Sequence, residues 1–374
     1  MTRLGFIADI HLASHKVHGG PVVGGLNERA SLIVRAMRLA RLQAEAKGCN
    51  DLFVLGDIFD TDAPTPQLVD AAIGALQSKQ MRVHFLRGNH DMRSATEHDN
   101  ALAVLRHVTG FHVYEEPTLI QPADDLRVIM VPYQSGQAEE WLPGAVEDAL
   151  NGAPDFIGRQ VLALHLGIFD AELAKAPWVK GSHDAVPIEL LEALCYQHDI
   201  SAVLAGNWHS RKIFESKSDA LIIQVGALAP TGWDNAGAVG YGSLVVLDVN
   251  HSLVGLDVME VPGPRFLSAK SAADLDDQKL ECVPGCTIFG RLDVQAEEVR
   301  TAIVEGAQLG LHTVDVRVDD TARRAQVRNA AQSARCALTL QSAVSNYIKA
   351  MPEIDGYRKE VWSKVAHLLG FGGL

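Results

Sequence analysis

Leu52-Phe53-Val54-Leu55-Gly56-Asp57-Ile58-Phe59-Asp60 is an apolar run that stops at a glycine and then presents carboxylates. Such a run reads as a buried strand, with the polar residues in the loop at its carboxyl end. The arrangement recurs on both sides of this stretch. Leu4–Ala8 leads into Asp9-Ile10-His11, and Val83–Leu86 leads towards Gly88-Asn89-His90-Asp91. Val161–Leu164 leads into a lone His165, and Ala202–Ala205 into Asn207 and His209. Parallel sheets gather the residues just past their strands' carboxyl ends into one crevice. Five strands would therefore bring Asp, His, Asp, Asn, His, Asn and His to one place. That set is oxygen and nitrogen with no thiolate, and it suits two divalent ions of the manganese, iron or zinc kind. Two such ions ~3.5–4 Å apart clamp the attacking and leaving oxygens of a phosphoryl displacement.

Each segment also has a plainer reading. Asp-x-His is common, and Gly-Asp after a strand is often only a turn. His165 by itself reads better as a hydrogen-bonded core histidine. The order and spacing of the whole set favour one metal centre.

Together these motifs resemble those of calcineurin-like metallophosphoesterases: Asp-x-His, Gly-Asp-x-x-Asp, Gly-Asn-His-Asp, a lone His, then Gly-His-x-His. The resemblance implies an α/β fold, a two-sheet sandwich flanked by helices. It implies that Asp9, His11 and His209 hold one ion, that Asp57 bridges both, and that Asn89 and His165 hold the second. His90 would steady the transition state and protonate the leaving oxygen, and Asp91 would orient its imidazole. The implied cofactor is a pair of divalent ions, Mn²⁺ foremost, with Mg²⁺, Fe²⁺ or Zn²⁺ as alternatives. One position departs from the pattern, since Gly206-Asn207-Trp208-His209 carries asparagine where the family has histidine. An Asn carbonyl is a weaker, neutral donor and would turn the second site towards harder ions. Local hydrogen bonding by Asn207, with a loosely held second ion, is one alternative, and a decayed, non-catalytic relative is another.

Protein phosphatases of this superfamily carry Asp-Arg-Gly after the second motif, whereas Asp60 is followed by Thr61-Asp62-Ala63-Pro64. Gly56–Thr61 with the following Pro64-Thr65-Pro66, and Gln224–Leu228 after the last motif, are similar to DNA repair exonucleases of the SbcD type. That likeness implies exonuclease or endonuclease action on DNA in repair or recombination. It also implies an ABC-type ATPase partner of the SbcC kind, with a homodimer as a further arrangement. The alternatives are a small-molecule phosphodiesterase, for instance on cyclic nucleotides, and a non-catalytic DNA- or ATPase-binding relative.

The 374 residues are 47% hydrophobic, enough for a large core and two or three domains. No apolar run approaches the ~20 residues of a membrane span. The chain reads straight into a strand from Arg3, leaving no room for a signal peptide, and the five cysteines suggest reduced thiols in a cytoplasm. Cys282 and Cys286 lack a second pair to complete a zinc site. The net charge of −13 sits awkwardly with a DNA substrate, because affinity for DNA comes largely from cationic contacts to phosphate. Arg87 and Arg211, beside the third and last motifs, are the candidate substrate contacts. Arg29, Arg35, Arg38 and Arg41 read as one solvated helix face. Weak intrinsic DNA binding is expected, with a partner supplying the rest.

The organisation expected is a hydrolase domain over 1–262, a small α+β cap over 263–320 and C-terminal helices over 321–374. The periodicity predicts helices at Asn27–Lys47, with Leu32, Ala36, Leu39 and Ala40 on one side, and at Leu190–Tyr196. Strands are expected at Ile213–Glu215, Leu221–Val225, Ser243–Val249 and Leu253–Glu260, with Gly226–Gly242 a long loop. In the cap, strands at Thr287–Leu292 and Thr313–Val318 should flank a helix from Ala296 to Leu309. Helices are expected at Thr321–Ala350 and Glu353–Leu369. The stripe Ile354, Tyr357, Val361, Val365 and Leu368 would pack on the cap or grip the ATPase.

Overall fold

The computed structural model describes residues 2–93, 100–250 and 254–318, together with 360, 361 and 364. The strands follow in chain order as β1 (Thr2–Ile7), β2 (Asp51–Leu55), β3 (Arg82–Leu86), β4 (Phe111–Tyr114), β5 (Thr118–Ala123) and β6 (Leu126–Val131). Then come β7 (Arg159–His165), β8 (Ile200–Gly206), β9 (Lys212–Phe214), β10 (Leu221–Gln224), β11 (Ser243–Val249) and β12 (Val254–Glu260). One six-stranded sheet has the order β12-β11-β1-β2-β3-β4, and a second has β9-β10-β8-β7-β6-β5. The strands that carry the motifs lie side by side and parallel, β1-β2-β3 in the first sheet and β7-β8 in the second.

Four layers result. Leu4, Phe6, Phe53, Leu55 and Leu86 of the first sheet meet Val161, Ala163, Ala202, Leu204 and Ile223 of the second in a core with no exposed member. The opposite face of the first sheet is covered by α1 (Glu28–Ala46) and α2 (Pro66–Leu76), and that of the second by α3 (Ala138–Leu150) and α4 (Ile188–His198). Being covered on both faces is why the central strands are continuously apolar. The fold is therefore the expected α/β sandwich of two large sheets flanked by helices.

α1 begins where Asn27 accepts a hydrogen bond from the Ala30 amide at 2.9 Å, an N-cap. Its buried stripe is Ile33, Ala36, Met37 and Ala40, one step round from the predicted face, with Leu32 and Leu39 only half-buried. Arg29 corrects the expectation of a solvated arginine face. It is buried, donates to the carbonyls of Val17, Pro230 and Thr231, and lies over the Phe266 ring.

After β12 a three-stranded sheet forms from β13 (Pro264–Ala269), β14 (Thr287–Val294) and β15 (Thr313–Val318), with α5 (Ala272–Leu280) and α6 (Val299–Gln308). The expected β-α-β unit is present. β13 and α5 were not anticipated, because Pro262-Gly263-Pro264 reads as a linker; Pro264 instead takes the first position of an edge strand, where no ladder donor is needed. Phe266 and Phe289 of this sheet stack at 5.0 Å, and Trp233 meets Phe266 edge-on at 5.1 Å.

The chain divides into two units, residues 1–293 with 300–316, and 294–299 with 317–374. In the second, the Gln295 amide donates to Glu298 in a capping box. The predicted tail helices fall outside the described residues, except that Glu360, Val361 and Lys364 are helical.

At the amino ends of the parallel strands, Asp51 is buried and accepts from Arg82 at 2.6 and 2.9 Å and from His84 at 2.8 Å. Burial alone would raise the carboxyl, but His84 and Arg82 hold it below the usual range. Asp51→Asn is expected to lower stability by about 1–3 kcal/mol at neutral pH, the cost of stranding buried partners. A depressed carboxyl stabilises above its unfolded pKa of about 4. Denaturant titrations should therefore show the gap between wild type and variant closing as pH falls below that value.

Candidate metal centre

The sandwich brings every predicted ligand to one end of its central strands. Asp9 and His11 follow β1, Asp57 follows β2, Asn89 follows β3, His165 ends β7, and Asn207 and His209 follow β8. The turns are tight and left-handed. Asp9 and His11 have φ of 48°, Asp57 51° and Asn207 82°. Non-glycine residues adopt that region sparingly, and a cluster of them marks a site whose surroundings enforce it. Here the enforcement is a ladder of amides: Asp9 N to Gly56 O, Ile10 and His11 N to Asp57 O, and Leu12 N to Ile58 O. Gly88 must be glycine, since a Cβ there would lie 2.1 Å from Asp57 Oδ1.

The three imidazoles expected to be ligands share one design. His165 Nδ1 donates to Leu55 O at 2.7 Å, so its Nε2 faces Asp57 Oδ2 at 3.3 Å and Asn89 Oδ1 at 2.9 Å. His209 Nδ1 meets Asn235 Oδ1 at 2.7 Å, and His11 Nδ1 meets Asp60 Oδ1 at 3.0 Å. The Nε2 atoms of His11 and His209 are then 3.0 Å apart, and His11 Nε2 is 3.8 Å from Asp57 Oδ2. An outer oxygen on each ring fixes the tautomer and leaves an inner lone pair, which is how metal-bound histidines are held. Three overlapping ligand groups result, Asp9-His11-His209, His11-Asp57-His90 and Asp9-Asp57-His165, each within 4.8 Å. Asp9, His11 and Asp57 each belong to two of them, and Asp57 Oδ2 faces both His11 Nε2 and His165 Nε2.

The electrostatics call for cations. Burial, with Asp57 nearby, pushes the Asp9 carboxyl up to about 6. Burial opposes ionisation of Asp57 too, but His165, His11 and His90 hold it well below the ordinary range. His165 is drawn up to about 10 by Asp57 and Asp9 against the effect of its burial. A proton on His165 thus does the work a bound cation would do, because buried charges must be paired or metal-coordinated. The oxygen and imidazole donors fit two divalent ions of the kind expected.

Asn207 donates from its backbone to both Asp9 oxygens, at 2.9 and 3.0 Å, and from Nδ2 to Asp184 O at 2.9 Å. Its remaining donor to a metal is the neutral Oδ1. Two expectations need correcting. Asp91 does not orient His90. Its Oδ2 accepts from the amides of Asp57 and Gly88, and burial, with Asp57 close by, pushes it to about 7. The carboxylate facing His90 is Asp60, 3.8 Å from Nδ1. Arg87 is buried with Nη2 on the Tyr133 carbonyl, a structural tie and not an open contact for substrate. Arg211 lies beside His209 with Nη1 on Ser243 Oγ.

Asp60 and Asn235 are the functional residues the sequence reading left unassigned. Asp60 stood in the second motif. Asn235 lies 26 residues past His209, and no spacing rule points to it. Asn235→Ala is expected to weaken divalent-ion binding about 10–100-fold, the usual cost of an outer partner. Competitive chelator titration measures it, and unchanged affinity would remove Asn235 from the centre.

The site is thus a cluster of buried carboxylate and imidazole groups that could hold metal ions, with the exposed His90 at its edge. Residues 2–211 match the pattern of the calcineurin-like phosphoesterases, and the chain belongs to that family. Among curated proteins, the UDP-2,3-diacylglucosamine hydrolase of Stenotrophomonas maltophilia (strain K279a) is 29% identical over 147 residues, 37% of this chain and 53% of that protein. The enzyme of the same name from Enterobacter sp. (strain 638) is 25% identical over 215 residues, 54% of this chain and 80% of that protein. The chain thus spans about half the length of the first relative. Similar solved structures include a dimetal phosphatase from Danio rerio, with TM-score 0.40 and 15% identity over 68% of this chain and 98% of that one. A purple acid phosphatase from yellow lupin seeds has TM-score 0.45 and 13% identity over 69% of this chain and 51% of that one. No described helix is long and apolar enough to cross a membrane.

Proposed function

We propose that this protein hydrolyses phosphodiester bonds of DNA with two divalent ions, Mn²⁺ foremost. The convergence of His11 and His165 on Asp57, and of His209 on His11 and Asp9, each ring tied at its outer nitrogen, carries the hydrolase reading. Bound there, divalent ions supply Lewis-acid activation of water and neutralise charge on the phosphate. Asp57 sits between the ligand groups, and its Oδ1 accepts the His90 amide at 2.9 Å. That bond sets the backbone that carries His90. The His90 side chain is 44% exposed, with Nδ1 towards Asp60, leaving Nε2 to hold a proton for the leaving oxygen.

The DNA assignment is supported by the motif likeness to repair exonucleases and by the cap-like sheet after residue 262. On this reading 1–262 is the hydrolase, 263–320 the cap, and 321–374 the tail that meets an ABC-type ATPase and compensates for the acidic surface. A second reading comes from the curated relatives, whose printed name points to a UDP-linked diacyl sugar. With Mn²⁺, the full chain is expected to release nucleotides from linear DNA. Cleavage of UDP-2,3-diacylglucosamine without DNA would replace this reading with the second one. Turnover of bis-p-nitrophenyl phosphate alone would leave a small-molecule phosphodiesterase.

A further inference from the structure

Trp208 stands between two residues of the metal centre, Asn207 and His209, and its indole faces a different space. That space is a cavity of about 710 Å³ whose walls include Trp178, Trp208, Phe214 and Tyr241, with Asn207 and His209 on its margin. The volume is that of a site for a small organic group. Trp208 is fixed from behind, because the Gly167 backbone lies so close that a Cβ there would meet the indole at 2.2 Å. Trp178 meets Trp208 edge-on at 4.8 Å and 65°, yet remains 61% exposed. A large indole left open beside a reactive centre has its broad face available.

We propose that this cavity binds the base of a nucleotide whose phosphate lies at the metal centre, an inference that rests on the phosphoester hydrolase reading. Three observations favour a base over a hydrocarbon chain. The apolar walls are mainly aromatic, and flat rings stack on flat rings. The rim is polar, with Ser210 and Asp234, and these suit the hydrogen-bonding edge of a base. Lys212, over the Phe214 ring at 5.0 Å and paired with Asp170, puts a cation on the same wall. Gln224 is no part of the recognition, since its amide is fully used by Ile168 N, Ala205 O and Gly206 O. It builds the floor.

The test uses three diesters with one leaving group, the p-nitrophenyl phosphates of thymidine (through the 5′ oxygen), methanol and hexanol, hydrolysed with Mn²⁺. The quantity read is kcat/KM for the nucleoside ester divided by that for the methyl ester. Trp178→Ala is expected to lower this ratio about 10–100-fold, the worth of one stacked base, and Trp178→Phe to recover most of it. An unchanged ratio overturns the proposal. So does an equal fall in the hexyl-to-methyl ratio, which would make the cavity an acyl-chain site. If wild type turns over none of the three, the hydrolase reading fails, and calorimetry with thymidine 5′-monophosphate and Mn²⁺ decides the subsite separately. Binding lost in Trp178→Ala upholds it, and binding absent from wild type or unaltered in the variant overturns it.

Discussion

Asp57→Ala should abolish hydrolysis and release both divalent ions together. Asp57 is buried, shared by two of the three ligand groups and ionised well below the ordinary carboxylate range. Its Oδ1 also anchors the His90 amide, so the turn after β3 loses its tie. The loss should exceed the roughly 10–100-fold typical of an outer partner such as Asn235. Elemental analysis after chelation and re-addition of Mn²⁺, read beside turnover of bis-p-nitrophenyl phosphate, makes the measurement. Activity near the wild-type level in the re-loaded variant would refute a shared bridging ligand.

His90→Ala should separate chemistry from binding. The ring is the most exposed histidine of the centre and lies against Asp60. As a general acid it is worth ~10²–10⁴-fold in kcat, with metal content kept. His90 also falls within 4.8 Å reach of His11 and Asp57. The competing outcome is therefore specific: loss of a full metal equivalent would make His90 a ligand. Leaving groups of lower pKa need less protonation, so p-nitrophenyl esters should suffer less than alkyl diesters.

The five motif-bearing strands were legible because strands covered on both faces are continuously apolar, and each such run led into polar residues, a lone His165 in one case. Asn27 as a helix cap was legible for a local reason, its side chain reaching an amide three residues on. Arg29 was misread because helical periodicity reports which side of a helix a residue occupies. It does not report that a loop over 200 residues away, at Pro230 and Thr231, will cover that side. Asp91 was misassigned because a motif shows adjacency to His90 and not the direction of a carboxylate. In the fold its oxygens turn inward to the amides of the neighbouring strand loop. Asn235 had no local pattern, since its role depends on where the turn Trp233–Asn235 is carried by the tertiary fold.

The left-handed backbone at Asp9, His11, Asp57 and Asn207 sets selection for robustness against selection for turnover. Each strained position costs on the order of 1–3 kcal/mol, and glycine would relieve it most cheaply at Asn207, whose bonds to Asp9 run through its backbone amide. A library of this gene passed through heat challenge alone should therefore accumulate glycine at codon 207 before the other three, whose side chains hold buried partners. Supplying metal during the challenge should blunt that drift, because an ion held only by the folded ligand set rewards the chains that keep it.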